Sequence, residues 1–248
     1  MRLYLIALQF LTIIPLPFSV RCEEEDLGRS MALFPLVGLT IGLFLAGIDY
    51  VLGLALPRSV TDLLLVMVLA VVTGALHLDG LADVCDGLAA RGGRERFLSV
   101  MKDSRTGAVG VVGLVLGILL KYQALLNIPL EYKREALLFF PLIARFSQVQ
   151  LTVGAKKARQ DGLGSAFIGG AGLPQFAIAF VVSLVAGYLL LGIWGAYCTM
   201  AVCLATWISK SWFHKRLGGI TGDVIGCVNE LNEILCLLAL LALAGGKL

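Results

Sequence analysis

Charge is scarce in this sequence. Only 15% of its 248 residues are Asp, Glu, Lys or Arg, against about 25% in a typical soluble domain. Apolar residues fill the deficit, at 58% of the chain. Such a chain cannot present a water-facing surface on all sides, which excludes an ordinary soluble domain and points to an integral membrane protein surrounded by lipid. The net charge of +3 is small and its basic residues are scattered over short loops, so nucleic acid is not an expected partner. Histidine is scarce as well: His77 and His214 are too far apart in sequence to suggest a zinc site. The six cysteines include no Cys-x-x-Cys pair and read as reduced, structural residues. The opening apolar run, Leu3 to Pro17, is too short to cross a bilayer. No small-x-small cleavage site follows it, so it reads as an interfacial or re-entrant segment rather than a removed signal.

What is present in abundance is long apolar runs. Seven of them, at about 31–56, 60–78, 107–125, 136–153, 174–191, 193–209 and 224–244, are candidate spans. The expected fold is therefore an all-α, polytopic helical bundle with six or seven crossings, forming one membrane-embedded catalytic domain over residues 1–248. The 29 glycines suit close approach of helices in lipid. With the N-terminus taken as cytoplasmic, the segments 1–30, 79–106, 154–173 and 210–223 hold 14 Lys and Arg, and the opposite side holds five. That asymmetry follows the positive-inside rule. It puts the charged motifs on the cytoplasmic face of the cell membrane.

The densest motif is His77-Leu-Asp79-Gly-Leu-Ala-Asp83-Val-Cys-Asp86-Gly87. On a helix, Asp79, Asp83 and Asp86 stand at i, i+4 and i+7 and fall within roughly a 60° arc. Three acids on one face repel each other unless a cation sits among them, and an all-oxygen cluster suits Mg²⁺. Downstream, Met101-Lys102-Asp103-Ser104-Arg105-Thr106-Gly107 puts two cations and helix-capping residues just before a span, a good place for an anion. Arg145 lies inside an apolar run. A guanidinium there costs at least ~2.5–3.5 kcal/mol, so it should face an acidic partner or a bound phosphate. The basic loop from Lys156 through Arg159 and Asp161 to Gly164 either covers a pocket or is an ordinary loop.

The last cluster runs from Lys215 and Arg216 through Gly218-Gly-Ile-Thr221-Gly222-Asp223 to Asn229, Glu230 and Glu233. Its Gly-rich turn at a helix start looks like a phosphate cradle. On that helix Asp223, Glu230 and Glu233 share about an 80° arc. Glu230 and Glu233 run on into an apolar stretch and need a partner there: a metal ion, Arg145 or Lys215.

Taken together these stretches, with Phe10-Leu-Thr-Ile-Ile-Pro15-Leu-Pro17 and Phe34-Pro-Leu-Val-Gly38, resemble the cobalamin synthase family, and they keep its order over nearly the whole chain. The resemblance implies the last assembly step of vitamin B12. A hydroxyl of α-ribazole, or of α-ribazole 5′-phosphate, attacks the cobinamide-side phosphorus of adenosylcobinamide-GDP, and GMP leaves. Mg²⁺ is the implied cofactor. Phosphoryl transfer needs positioning and charge neutralisation above all, which suggests roles for the motifs. Asp79, Asp83 and Asp86 would hold metal, with Asp223, Glu230 or Glu233 completing its shell. Asp83 would also take the acceptor proton. Lys102, Arg105 and Arg145 would bind the diphosphate, and His77, Asp103, Lys215, Thr221 and Gly222 would contact substrate. No residue stands out as a covalent nucleophile, so a single displacement is expected. The sequence is compatible with a monomer or a homo-oligomer.

Two rivals predict different patterns. CDP-alcohol phosphotransferases also use a membrane Asp cluster with Mg²⁺, but their pattern has Arg after Ala, where this chain has Asp83 after Ala82. A cation-coupled transporter would line a midplane path with its acids, whereas these cluster beside basic residues near one face.

Overall fold

A computed structural model describes residues 1–17, 20–159 and 163–245. Among them there is no β-strand, only one isolated bridge between Lys157 and Ile220, and the molecule is an all-α bundle of membrane type. Gln160, Asp161 and Gly162 of the basic loop lie outside the described residues.

The first helix, α1 (Arg2–Leu11), buries Ile6, Ala7, Leu8 and Leu11 against the bundle and is too short to span. Next, α2 (Glu24–Ser30) continues through a 3₁₀ turn, Met31–Leu33, into α3 (Phe34–Gly53). After α4 (Arg58–Val72) the chain bends by 90° into α5 (Leu76–Ala89). The sequence suggests one span over 60–78, but left-handed conformations at Gly74 (φ 60°) and Ala75 (φ 55°) end α4 six residues early. Short α6 (Arg94–Val100) is followed by α7 (Ala108–Asn127) and α8 (Leu130–Thr152). The chain then forms α9 (Leu163–Gly170), α10 (Leu173–Leu191), α11 (Ile193–Leu217) and α12 (Gly222–Gly245). A left-handed Gly192 (φ 60°) separates α10 from α11, as two spans rather than one require. All six cysteines are free.

By length and composition four stretches could cross a membrane: Glu25–Gly53, Ala108–Asn127, Leu173–Leu191 and Gly222–Leu243. A fifth joins them if α4 and α5 are one broken span. Of the six or seven crossings expected, four or five pass on length and composition, and α8 and α11 carry too many polar residues to pass on composition alone. Yet α8 is the axis of the bundle. Every residue from Ala136 to Val149 is buried, with α3, α10, α11 and α12 around it. Two glycines of α3 make that contact: a Cβ on Gly38 or Gly42 would lie 2.4 or 2.6 Å from the carbonyl oxygens of Pro141 and Leu137. In a bilayer such small-residue contacts bring dispersion forces into range.

The second helix–helix contact that matters is α5 against α12. A Cβ on Gly80 would lie 2.5 Å from the Asp223 carbonyl oxygen, and one on Gly226 would lie 3.1 Å from the His77 Cα. A smaller apolar cluster, including Leu81, Val84, Phe97, Phe213 and Leu217, packs beneath this crossing and ties α6 to it. Arg94 reinforces the tie by donating to the carbonyl oxygens of Leu217 (2.5 Å) and Ala158 (3.0 Å).

Candidate active site

The α5–α12 crossing sets acids from two motifs 137 residues apart in sequence beside one another. Asp79, Asp86 and Asp223 all lie close enough for their charges to act on Asp83. Arg159, from the basic loop, donates to the Asp223 carboxylate at 2.9 Å. Asp79 and Asp83 have no hydrogen-bond or ion-pair partner among the described residues. Asp79, Asp223, Arg159 and Gly222 border a cavity of about 190 Å³, with His77 and Gln148 deeper in it. Three phenylalanines form its apolar wall: Phe10 and Phe167 have ring centroids 4.2 Å apart, and Phe34 lies 5.8 Å from Phe167. Asp83 stands one helical turn beyond the lining.

Asp86 belongs to a different structure. Its oxygens accept from the backbone N–H groups of Gly107 (2.6 Å) and Gly110 (2.7 Å), so it caps the start of α7. Glycine at both positions is what lets it reach, since a Cβ on either would fall about 2.5 Å or less from its carboxyl. Asp86, expected among the metal ligands, is thus engaged at this helix start and does not line the cavity beside Asp79 and Asp223.

Glu230 and Glu233 are not at the acid cluster either. Lys121 donates to Glu230 (2.7 Å) and Glu233 (2.5 Å), and Arg145 pairs with Glu233. All four side chains are at least 95% buried. Their charges balance inside the bundle: of the partners expected for Glu230 and Glu233 the structure brings Arg145, Lys121 stands in place of Lys215, and neither glutamate lines the cavity beside Asp79 and Asp223. Arg145 has found the acidic partner its position demanded, and it does not line the cavity. Lys121, one of the five basic residues counted to the opposite side, is the partner that sequence reasoning missed. A lone lysine within the apolar run 107–125 was the available signal, since an intramembrane charge demands a partner.

The other expected contacts scatter. Thr221 Oγ1 accepts from the Val224 N–H (3.2 Å) and donates to Asp223 (3.4 Å), so it starts α12 and steadies an acid of the site. Lys215 is exposed at the end of α11, and Lys102 is exposed in the α6–α7 turn. In that turn Arg105 donates from Nε (3.1 Å), Nη2 (2.9 Å) and its backbone N–H (3.1 Å) to Asp103, holding that carboxyl down at about 2. The pair is exposed, and the Arg105 bonds to Asp103 use Nε and one hydrogen of Nη2, which leaves the Nη1 side of the guanidinium for another acceptor. Arg159 and Gln148, given no role by the sequence, line the cavity together with the expected His77, Asp79, Gly222 and Asp223.

The donor set suits a hard divalent cation in its chemistry, being carboxylate oxygens from two helices. Among the described residues no three His, Cys, Asp or Glu side chains stand close enough to hold a metal ion. The fit is thus to an ion such as Mg²⁺ that takes one or two carboxylates and completes its shell from substrate phosphate.

The sequence matches the family described as cobalamin-5-phosphate synthase over residues 3–241. The chain belongs to the cobalamin-5-phosphate synthase family. Among its curated relatives is an adenosylcobinamide-GDP ribazoletransferase of Geotalea daltonii, 71% identical over 99% of both chains. Proteins of the same name from Clostridium tetani (34% identical, 97% of this chain and 96% of the relative) and Acetivibrio thermocellus (36%, 92% and 93%) are more distant. No solved structure matches. Membership of the cobalamin-5-phosphate synthase family decides for an enzyme of this kind over a lipid phosphotransferase or a transporter.

Proposed function

We propose that this protein is an adenosylcobinamide-GDP ribazoletransferase. It transfers the cobinamide phosphate to α-ribazole or its 5′-phosphate, giving adenosylcobalamin or its 5′-phosphate and GMP. The observation that carries the reading is the meeting of Asp79, Asp83 and Asp223 with Arg159 at the mouth of an aromatic-walled cavity. Polar and charged groups there serve a diphosphate, and the apolar wall serves a flat group attached to the acceptor.

In this reading Asp83, which has no hydrogen-bond partner among the described residues, accepts the proton of the attacking ribazole hydroxyl. The new bond forms between that oxygen and the cobinamide-side phosphorus, and the bond from the same phosphorus to the GMP oxygen breaks. Arg159 offers N–H donors to the diphosphate oxygens as charge moves onto the departing GMP. Asp79 and Asp223 would hold Mg²⁺, whose chemistry here is to neutralise the diphosphate and leaving-group charge. The site faces the cytoplasm across the cell membrane, where the basic loops gather.

The test is GMP release from adenosylcobinamide-GDP plus α-ribazole in liposomes, with and without Mg²⁺, for wild type and a folded Asp83→Asn. Mg²⁺-dependent GMP and cobalamin from wild type, lost by orders of magnitude in the variant, supports the reading. A folded wild type that releases no GMP rejects it. Equal rates with and without Mg²⁺ reject the metal alone.

A further inference from the structure

An unbroken chain of hydrogen bonds links the buried ion cluster to His77, which lines the aromatic-walled cavity, and it fixes which ring nitrogen of His77 carries the proton. Glu233 is held by two cations, Lys121 and Arg145, so its carboxylate only accepts hydrogen bonds. Asn229 lies 3.2 Å from it and must present its amide nitrogen there. The Asn229 oxygen then faces Gln148, which must turn its own amide nitrogen toward it at 2.8 Å. The second hydrogen of that nitrogen points at His77 Nε2, 2.9 Å away. Nε2 is therefore an acceptor, and the imidazole is neutral with its proton on Nδ1. Yet Nδ1 is buried and has no partner among the described residues, although the residue is only 3% exposed. A buried donor left unpaired is costly, so the position calls for an acceptor from outside the chain.

His77 shares its cavity with Phe10, Phe34 and Phe167. A volume of about 190 Å³ is below the ~300–1,000 Å³ of sites that enclose a whole drug-sized molecule. It suits one flat ring system, stacked on aromatic faces, and not a corrinoid. Ribazole carries such a ring system: a bicyclic base with one nitrogen in the glycosidic bond and a lone pair on the other.

We propose that this cavity is the acceptor-base subsite. His77 Nδ1–H donates to the free ring nitrogen of the ribazole base, the phenylalanines hold its faces, and Gln148 and Asn229 are positioning residues that lock the tautomer. The ligand half rests on ribazole being the acceptor; the tautomer half does not.

Two measurements test it. With only two histidines in the chain, ¹⁵N-histidine NMR in nanodiscs reads the His77 tautomer directly. Assignment uses His214→Gln, because His214 also carries its proton on Nδ1, which faces the Lys210 carbonyl oxygen (2.8 Å). The expected result is Nδ1–H at His77 in wild type and a shift toward Nε2–H in Gln148→Met; Nε2–H in wild type overturns the network, whatever the enzyme's activity. The second compares ribazole with a matched nucleoside whose free ring nitrogen is replaced by C–H. Wild type should show a KM about tenfold or more higher for the analogue, shrinking toward parity in Gln148→Met, with the KM for adenosylcobinamide-GDP unchanged. Equal KM values for the two acceptors in wild type overturn the subsite even if no variant folds, as does a rise confined to the KM for adenosylcobinamide-GDP. A wild type that uses neither acceptor rejects the transferase reading instead, and the NMR result stands by itself.

Discussion

Gly80 of α5 rests directly on the Asp223 main chain of α12, so close that a Cβ would lie 2.5 Å from the Asp223 carbonyl oxygen and 3.1 Å from its Cα. This contact sets the spacing of the acids. Gly80→Ala must push the helices apart or bend one of them, and neither backbone can yield cheaply. The displacement falls directly on Asp79, Asp83 and Asp223. A misplacement of about 1 Å at reacting groups can cost on the order of 100-fold. The expected outcome is a folded protein whose kcat for GMP release drops by roughly that factor, read in liposomes beside a monodispersity check. An unchanged kcat would show that the crossing does not govern the chemistry.

Asp83 and Asp86 are three residues apart, and their different surroundings predict different losses. Asp86 spends its oxygens on the Gly107 and Gly110 N–H groups. Asp86→Asn keeps one acceptor and loses the other together with the charge at the helix start, a cost of about 0.5–2 kcal/mol. It should lower thermal stability and leave most of the activity of the remaining folded protein. Asp83→Asn should do the reverse. Paired melting curves and initial rates on the two variants decide it; a dead but fully stable Asp86→Asn would restore Asp86 to the metal shell.

The sequence made the helical class and the acid face of α5 legible because both are local: apolar runs and an i, i+4, i+7 spacing. The positions of Asp223 and Gly222 beside that face were within reach because the motif itself marks a helix start. Partner choice inside the bundle was not legible. Glu230 and Glu233 share a helical face with Asp223 about as well as the α5 acids share theirs, yet a helix advances about 1.5 Å per residue. Seven or ten residues therefore carry them about two to three turns away, to Lys121 and Arg145. Angular position alone omits that rise. The break at Gly74 and Ala75 was hidden for a related reason: the apolar pattern runs through it without interruption.

The buried quartet of Lys121, Arg145, Glu230 and Glu233 predicts a stability effect rather than a metal effect. Lys121→Met leaves Glu230 without its cation inside the bundle. Breaking one side of a buried pair costs about 3–5 kcal/mol. The double variant Lys121→Met with Glu230→Gln removes both charges and should recover much of the lost melting temperature. The Mg²⁺ concentration giving half-maximal activity should stay where it is in any variant that folds. Were Glu230→Gln alone to weaken the Mg²⁺ dependence while leaving the melting curve intact, the carboxylate would belong with the metal after all.

Arg159 reaches the site from a loop, and its link to Asp223 gives it two tasks that substitution can separate. It donates at 2.9 Å to the Asp223 carboxylate and borders the cavity, so it both offsets the repulsion among the acids and faces an incoming diphosphate. A hydrogen bond to a charged group contributes about 1.5–3 kcal/mol. Arg159→Gln should therefore raise the KM for adenosylcobinamide-GDP on the order of tenfold or more, with less effect on the KM for ribazole. Arg159→Lys keeps the charge but loses the planar fork, so it should recover the part due to charge and not the part due to two-point contact. Steady-state kinetics with each substrate varied in turn separates these terms. An Arg159→Gln enzyme with both KM values unchanged and only a lower melting temperature would confine Arg159 to holding Asp223 in place.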